Sequence, residues 1–292
     1  MNIKSVVVWF LILPLLAVSC QQGGDNKSTE EKKELRIISL SGFLTETLFD
    51  LGLGEQIVGR DITSTYPSSI NEVPALGHVS RINVEAVIGL NPDFVIAEED
   101  QYESYRVLKQ IEEAGINVLA VPTSTSLQNA LHASTYLSQH MPVDKDKIAE
   151  LEEKIIKDSL ALAETLATFE DEPQVLFIYA RGAGRLMVGG KNTGASAMIK
   201  KAGGVNAIQS FDDYVTLTPE SLLEANPDVI LMFTSGIASL DGKEGLVQIK
   251  GISQTPAFQH DRIVAMDGHY LVSFCSRAGQ AAKELAQQIH LE

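Results

Sequence analysis

Short apolar runs alternate with amphipathic stretches along most of the chain. Runs such as "LRIISL", "FVIA" and "QVLFIYA" are typical of buried β-strands. Stretches such as "YRVLKQIEEAGINVLAVP" combine a helical period, a glycine stop and a further strand, and we expect Thr45 to cap the first helix. Strands that alternate with helices indicate parallel βαβ units. Because both halves of the sequence follow this order, the pattern predicts two equivalent α/β lobes.

A segment between the two halves has a purely helical pattern. From about residue 144 to residue 168 it contains no Gly or Pro. Its apolar residues recur at helical spacing, at Ile148, Leu151, Ile155, Leu162 and Leu166. Such a helix is about 37 Å long and can cross both lobes, although it can also pack wholly on one of them. The predicted organisation is an N-terminal lobe at 35–142, a connecting helix at 143–169 and a C-terminal lobe at 170–292.

One phrase occurs twice, as "NVEAVIGLNPDFVIA" starting at Asn83 and as "TPESLLEANPDVILM" starting at Thr218. In both copies we interpret Asn-Pro-Asp as the turn between a helix and a strand. Glu85 and Glu220 occupy the same place, in the first turn of the helix, where the helix dipole by itself favours a carboxylate. Because matched positions of two related lobes lie on corresponding surfaces, we expect one of these glutamates on each side of a cleft.

The first 20 residues differ from the rest of the chain. Lys4 precedes an apolar run at 6–16, and "AVSC" closes the segment at Cys20. This order is typical of a secretory signal peptide, and the run is shorter than the ~20 residues that a transmembrane helix needs. "AVSC" resembles a bacterial lipobox, so we expect Cys20 to be lipidated; a cleaved, freely secreted protein is the alternative. The polar residues 21–34 are then a flexible tether to the membrane.

Charge and residue usage narrow the class of function. A formal net charge of −15 argues against nucleic acid as a partner, because phosphates require a basic surface. If Cys20 carries lipid, Cys275 has no disulfide partner, and we expect it to pack as a small buried apolar group. The six histidines show no HExxH spacing, and the chain has no GxSxG motif. A secreted hydrolase or metal enzyme is therefore disfavoured, and we expect a protein without enzymatic activity.

From residue 35 to residue 291 the chain resembles the substrate-binding lipoproteins of ABC importers for haem, cobalamin and iron-siderophore complexes. The resemblance is carried by "INVEAVIGLNPD" and "LTPESLLEANPD". It implies a monomer of two α/β lobes on one long backbone helix, with a ligand cleft between the lobes and no intrinsic cofactor. It also implies two partners, the transported ligand and a permease dimer with its ATPase. In the family a glutamate on each lobe docks against permease arginines, and these positions fall on Glu85 and Glu220.

Several stretches, among them "GFLTETLFDLGLGEQIVGRDITSTYP" and "LMVGGKNTGASAMIKKAGGVNAI", are most similar to the haem-binding branch of the family. The tyrosine that often ligates iron there falls on His78 in "GHVSR", and the family's arginine falls on Ser80. Imidazole is also a common axial ligand of haem iron. Tyr179 is expected to be the second axial ligand or an aromatic cover of the core. Tyr66 and Arg181 are expected to border the cleft, where Arg181 can pair with a propionate.

Other positions and ligands complete the prediction. We expect "GAGRLMVGG" to be a flexible binding loop, and His260, His269 and Tyr270 to be wall residues of the cleft. A ferric siderophore or cobalamin is the alternative ligand. A lipid-tethered scaffold with a vestigial cleft is the alternative function. The predicted location is outside the cytoplasm of a bacterium, on the periplasmic or cell-surface side, with lipid alone attaching the protein to a bacterial membrane.

Overall fold

The computed structural model describes residues 35–290. The predicted signal peptide, the tether and Cys20 lie outside these described residues. Between 35 and 290, no helix combines the length and the apolar character required to cross a bilayer.

The N-terminal lobe is built on one parallel sheet with the strand order β2-β1-β3-β4. In chain order these strands are β1 (Ile37–Ser39), β2 (Ile57–Arg60), β3 (Phe94–Glu98) and β4 (Asn117–Val121). The helices of the described residues up to 142 are α1 (Gly42–Asp50), α2 (Val84–Gly89), α3 (Glu99–Ser104), α4 (Arg106–Glu113) and α5 (Asn129–Ser138). The sheet confirms the parallel βαβ units that the sequence predicts for this half.

One helix, α6 (Lys145–Leu166), connects the two lobes. Asp144 is the N-cap of this helix, and its carboxylate accepts a hydrogen bond from the backbone N–H of Asp146 at 2.9 Å. Leu151 and Ile155 pack in a core cluster of the N-terminal lobe, whereas Leu162 packs in a core cluster of the C-terminal lobe. The helix therefore contacts both lobes along a length of about 33 Å, as the sequence predicts.

The C-terminal lobe is built on a mixed sheet with the order β10-β9-β5-β6-β8, and a short strand β7 pairs with β5. Its strands are β5 (Gln174–Ala180), β6 (Leu186–Gly189), β7 (Val205–Asn206), β8 (Tyr214–Thr216), β9 (Val229–Phe233) and β10 (Ile263–Met266). The helices from residue 170 to residue 290 are α7 (Gly194–Lys201), α8 (Pro219–Ala225), α9 (Thr234–Ala238), α10 (Pro256–Gln259), α11 (Gly268–Val272) and α12 (Ala278–Ile289). Two α/β lobes on a long helix confirm the predicted fold class.

Two local predictions are wrong. The stretch "GAGRLMVGG" is not simply a loop, because β6 pairs antiparallel with both β5 and β8. Gly182, with φ of +75°, makes the tight turn that allows this hairpin, and the two lobes are consequently not equivalent. Thr45 does not cap α1, since Ser41 holds the N-cap position. The Thr45 side chain is fully buried and hydrogen-bonds to the hydroxyls of Ser39 and Ser64 at 2.8 and 2.9 Å.

Candidate functional site

Two adjoining cavities occupy the cleft between the lobes. The first, of about 760 Å³, is lined by Tyr179, Arg181 and Phe233 of the C-terminal lobe together with Thr63 and other residues of the loop after β2. The second has a volume of about 560 Å³. Four residues line both cavities, namely Thr63, His269, Val272 and Ser273. Because these residues are shared, the cavities form one continuous cleft.

The ends of parallel strands position this cleft. Glu98 ends β3, Ala180 ends β5 and Phe233 ends β9, and each of these residues lines one of the two cavities. The carboxyl ends of the strands in open α/β sheets are the usual location of ligand sites. The two sheets therefore turn their carboxyl ends towards the same cleft.

An aromatic wall lines the first cavity. The rings of Tyr179 and Phe233 meet edge to face with centroids 5.8 Å apart, and the Tyr214 ring lies 6.1 Å from that of Tyr179. The Arg181 guanidinium lies over the Tyr179 ring, 5.3 Å from its centroid. Tyr179 also packs against the core cluster beneath the sheet. Tyr179 therefore covers the core, one of the two roles that the sequence leaves open, and also lines the cleft; its role as an axial ligand stays a prediction.

The second cavity is lined by polar and acidic groups. Glu98, Asp100 and Gln101 contribute to it from β3 and α3, together with several hydroxyl side chains. Burial raises the pKa of Glu98, an effect that the hydrogen bond from the Ser41 hydroxyl opposes and the neighbouring Asp100 carboxylate reinforces. Arg181 lies in the first cavity together with the Asp267 carboxylate, whereas Glu98 and Asp100 line the second cavity without an arginine or lysine.

The structure does not bring all the predicted ligand-binding residues together. Tyr179 and Arg181 share the wall of the first cavity, whereas His78 and Tyr66 are not among the lining residues of either cavity. His78 is exposed, and its Nδ1 accepts a hydrogen bond from the backbone N–H of Ser80 at 3.2 Å. The Tyr66 ring lies against the guanidinium of Arg277, 3.7 Å from the ring centroid to Cζ. Iron ligation by His78 stays a prediction.

Sequence reasoning missed a buried ion pair between α1 and the chain just before α12. Glu46, only 2% exposed, accepts two hydrogen bonds from Arg277, at 2.8 Å from Nε and 2.6 Å from Nη2. His269 Nε2 lies 3.3 Å from the same carboxylate, and the Ser276 hydroxyl donates to it at 3.3 Å. The Arg277 guanidinium lies over the rings of Tyr66 and Tyr270, with Cζ 3.7 and 4.9 Å from their centroids. The group joins the two lobes directly beneath the cleft, because His269 also lines both cavities.

The buried pair sets the protonation states around it. Burial alone raises the pKa of Glu46, but hydrogen bonds from Arg277 and His269 outweigh that effect and lower the pKa to about 2. Burial and the Glu46 charge raise the pKa of Cys275 to about 12, so this thiol stays protonated at neutral pH. Glu46, His269 and Cys275 offer potential metal ligands within 4.8 Å of one another. Arg277, however, already occupies both carboxylate oxygens, and we interpret the cluster as an ion pair.

Cys275 is fully buried, as predicted, in a core cluster made mainly of N-terminal residues. Asp50 lies at the end of α1, and burial raises its pKa to about 6 despite a hydrogen bond from Ser276 that lowers it. One of its carboxylate oxygens, Oδ2, is buried without a hydrogen-bond partner. The charge of Asp50 is therefore unfavourable at neutral pH, in contrast to that of Glu46.

The repeated phrase forms two closely matching helical surfaces. Across residues 83–91 and 218–226, every matched position has the same degree of exposure. Asn83 caps α2 and Thr218 caps α8 through side-chain hydrogen bonds of 3.0 and 3.1 Å. Glu85 and Glu220 are both exposed in the first turn of their helices. The chain thus presents a carboxylate at the same place on each lobe.

The Asn-Pro-Asp turn has the architectural role that the sequence predicts. Asn91 and Asn226 adopt left-handed conformations, with φ of 45° and 38°. Two residues later, Asp93 and Asp228 each accept a hydrogen bond from a backbone N–H at the start of the neighbouring strand, at 3.0 and 2.9 Å. Left-handed asparagine ends each helix, and the aspartate then fixes the following strand in its sheet.

A family model described as periplasmic binding protein matches residues 37–270. An uncharacterized ABC transporter substrate-binding lipoprotein of Bacillus subtilis, YvrC, is 28% identical over 276 residues, which cover 94% of this chain and 85% of YvrC. A cobalamin-binding protein of Halobacterium salinarum is 24% identical over 271 residues, 90% of this chain and 71% of that protein. Among solved structures, the apo form of the periplasmic heme-binding protein RhuT from Roseiflexus sp. RS-1 has a TM-score of 0.82 and 32% identity, covering 88% of this chain and 98% of RhuT.

Proposed function

The chain belongs to the periplasmic binding protein family and is the substrate-binding protein of an ABC importer; we propose that its ligand is haem, captured in the cleft and delivered to a membrane permease. The observation that carries this proposal is the aromatic wall of Tyr179 and Phe233 with Arg181 beside it. A 32% identical neighbour of the same fold, RhuT, is a heme-binding protein. Haem is a transported ligand in this proposal, and the protein has no intrinsic cofactor and no enzymatic activity.

The chemistry of the first cavity suits a porphyrin. The flat apolar face of the macrocycle gains from burial against aromatic rings, at about 25 cal/mol per Å². Arg181 supplies a cation for a propionate through charge-assisted hydrogen bonds. Glu98 and Asp100 disfavour a propionate in the second cavity, and Arg181 favours one in the first, where the Asp267 carboxylate already accepts a hydrogen bond from the backbone N–H of Tyr270 at 2.9 Å.

Two further elements of the proposal come from the sequence. His78 and Tyr179 are the proposed axial ligands of the haem iron, and Tyr66 is a proposed neighbour of the ligand. Lipid attached to Cys20 holds the protein at the outer face of the membrane, beside the permease. Glu85 and Glu220 then dock one lobe on each half of the permease dimer, which is attached to its ATPase.

Cobalamin is the second candidate ligand. The hydroxyl, amide and carboxylate groups of the second cavity suit a ligand rich in neutral amides, and the Halobacterium salinarum relative is a cobalamin-binding protein. A ferric siderophore is less favoured. Among the described residues that line the two cleft cavities, Arg181 is the single arginine or lysine, so an anionic chelate finds little compensating charge.

Replacing His78 with alanine and Tyr179 with phenylalanine together is expected to weaken hemin binding at least about tenfold, equivalent to about 1.4 kcal/mol. The reason is that both proposed iron ligands are lost while the aromatic wall is retained. The measurement is a hemin titration followed by the Soret band, with its position reporting the axial ligands. The matched control is His132→Ala with Tyr105→Phe, which removes the same two side-chain groups at positions that are not proposed as iron ligands. If the His78 and Tyr179 double variant keeps the same Soret band and the same hemin affinity, ligation of the iron by these two residues is contradicted.

A further inference from the structure

The two matched helices share a second exposed feature beside the glutamate. Ile88 on α2 is 48% exposed, and Leu223 on α8 is 44% exposed. Each follows its glutamate by three residues, and residues three apart lie on the same face of a helix. Both side chains also occupy the same position in the repeated phrase. Each lobe therefore presents a carboxylate and a large aliphatic side chain together.

Large parts of these aliphatic side chains stay exposed on the surface of their own lobes. Val87 and Leu222, one position earlier, are fully buried and attach each helix to its own lobe. A single exposed aliphatic residue is ordinary on a protein surface. Here, however, two exposed aliphatic residues occupy matched positions, and each lies one helical turn after a matched exposed glutamate. The position that follows each aliphatic residue does not match in the same way, because Gly89 on α2 corresponds to Glu224 on α8.

We propose that Ile88 and Leu223 are apolar anchors of the docking surface, and that each inserts into an apolar depression of the permease dimer. This inference rests on the proposed importer function and adds to it the residues that hold the complex together. A partner made of two equivalent halves fits two surfaces that repeat the same acidic and aliphatic pair. The partner's depression lies beside the cation that pairs with Glu85 or Glu220.

The two kinds of residue act on different steps of association. Exposed charges mainly steer the encounter and orient the partners, and their effect falls with salt. Aliphatic side chains that become buried at the centre of an interface act mainly on the dissociation rate. The glutamates therefore select the partner and its orientation, and Ile88 and Leu223 prolong the complex.

The test uses the lipid-anchored or soluble mature protein and its own permease and ATPase, reconstituted in nanodiscs without ligand. Replacing both Ile88 and Leu223 with serine is expected to weaken binding to the nanodiscs at least about tenfold, mainly through faster dissociation. The matched control is Ile156→Ser with Leu160→Ser, which removes two aliphatic side chains that are 51% and 61% exposed on α6. The control is expected to bind as the unchanged protein does.

A photo-crosslinking amino acid placed at position 88 or 223 is expected to form an adduct with a permease subunit, identified by mass spectrometry, whereas one at position 156 is not. If Glu85→Lys with Glu220→Lys weakens binding but the Ile88 and Leu223 variant does not, the apolar anchors are refuted and docking stands. If neither variant weakens binding, the docking role in the proposed function fails as well. If the Ile156 and Leu160 control on α6 weakens binding by the same factor, the apolar anchors are refuted as well. The haem proposal is independent of all these outcomes, because no ligand is present.

Discussion

Replacing Glu85 and Glu220 with lysine together is expected to reduce import at least about a hundredfold, because like charges juxtaposed across an interface cost several kcal/mol. Both side chains are exposed, so the fold and the cleft are retained. Import is measured as growth on hemin as the sole iron source. Hemin binding by the purified variant is expected to be unchanged, which separates delivery from capture.

A matched change of charge elsewhere controls for the overall reduction in net negative charge. Glu152→Lys with Glu153→Lys alters two exposed residues of the connecting helix α6 by the same amount. Import by this control is expected to be close to that of the unchanged protein. Undiminished growth of the Glu85 and Glu220 variant would show that these residues have only a local role at the start of their helices.

The second large effect is expected at the ion pair beneath the cleft. Replacing Arg277 with methionine should destabilise the protein by about 3–5 kcal/mol, since the Glu46 carboxylate is then buried without its partner. Adding Glu46→Gln is expected to recover most of this loss, because no buried charge remains. Urea unfolding at pH 7 measures both changes. If the single and the double variant were equally unstable, lost packing rather than an uncompensated charge would be the cause.

The pH dependence of stability gives the ion pair a signature of its own. The pKa of Glu46 is lowered to about 2 in the folded protein from an ordinary value of 4.5. Its contribution is fully present above pH 4.5 and is lost as the pH falls from 4.5 towards 2. Asp50, whose pKa is raised to about 6, has the opposite sign and favours the fold as the pH falls below 6. The Glu46→Gln and Arg277→Met double variant should therefore lose less stability between pH 4.5 and 2.

The sequence predicts the parts of this protein that depend on local patterns. The run "QVLFIYA" coincides with β5, and the helical spacing after Asp144 coincides with α6. These predictions succeed because hydrophobic periodicity and helix caps act over a few residues. The repeated phrase likewise predicts two matched surfaces, because each copy folds by the same local rules.

The sequence does not predict features that depend on distant contacts. Glu46 and Arg277 are separated by 231 positions, and neither has a distinctive local motif. One local signal was available for Glu46, which is the single charged residue in the stretch "GFLTETLF". The antiparallel β6 was missed because its glycine-rich surroundings also fit a loop. Glu98 and Arg181 come to line adjoining cavities only when the carboxyl ends of β3 and β5 meet at one cleft.

The most direct test of the account is a titration of the purified protein with hemin, in competition with cyanocobalamin and a ferric siderophore. Absorbance is the suitable signal because the single tryptophan, Trp9, lies in the predicted signal peptide. The account predicts a saturable Soret band that remains with the protein through gel filtration and is displaced by neither competitor. Hemin that elutes free of the protein while cyanocobalamin remains bound would contradict it.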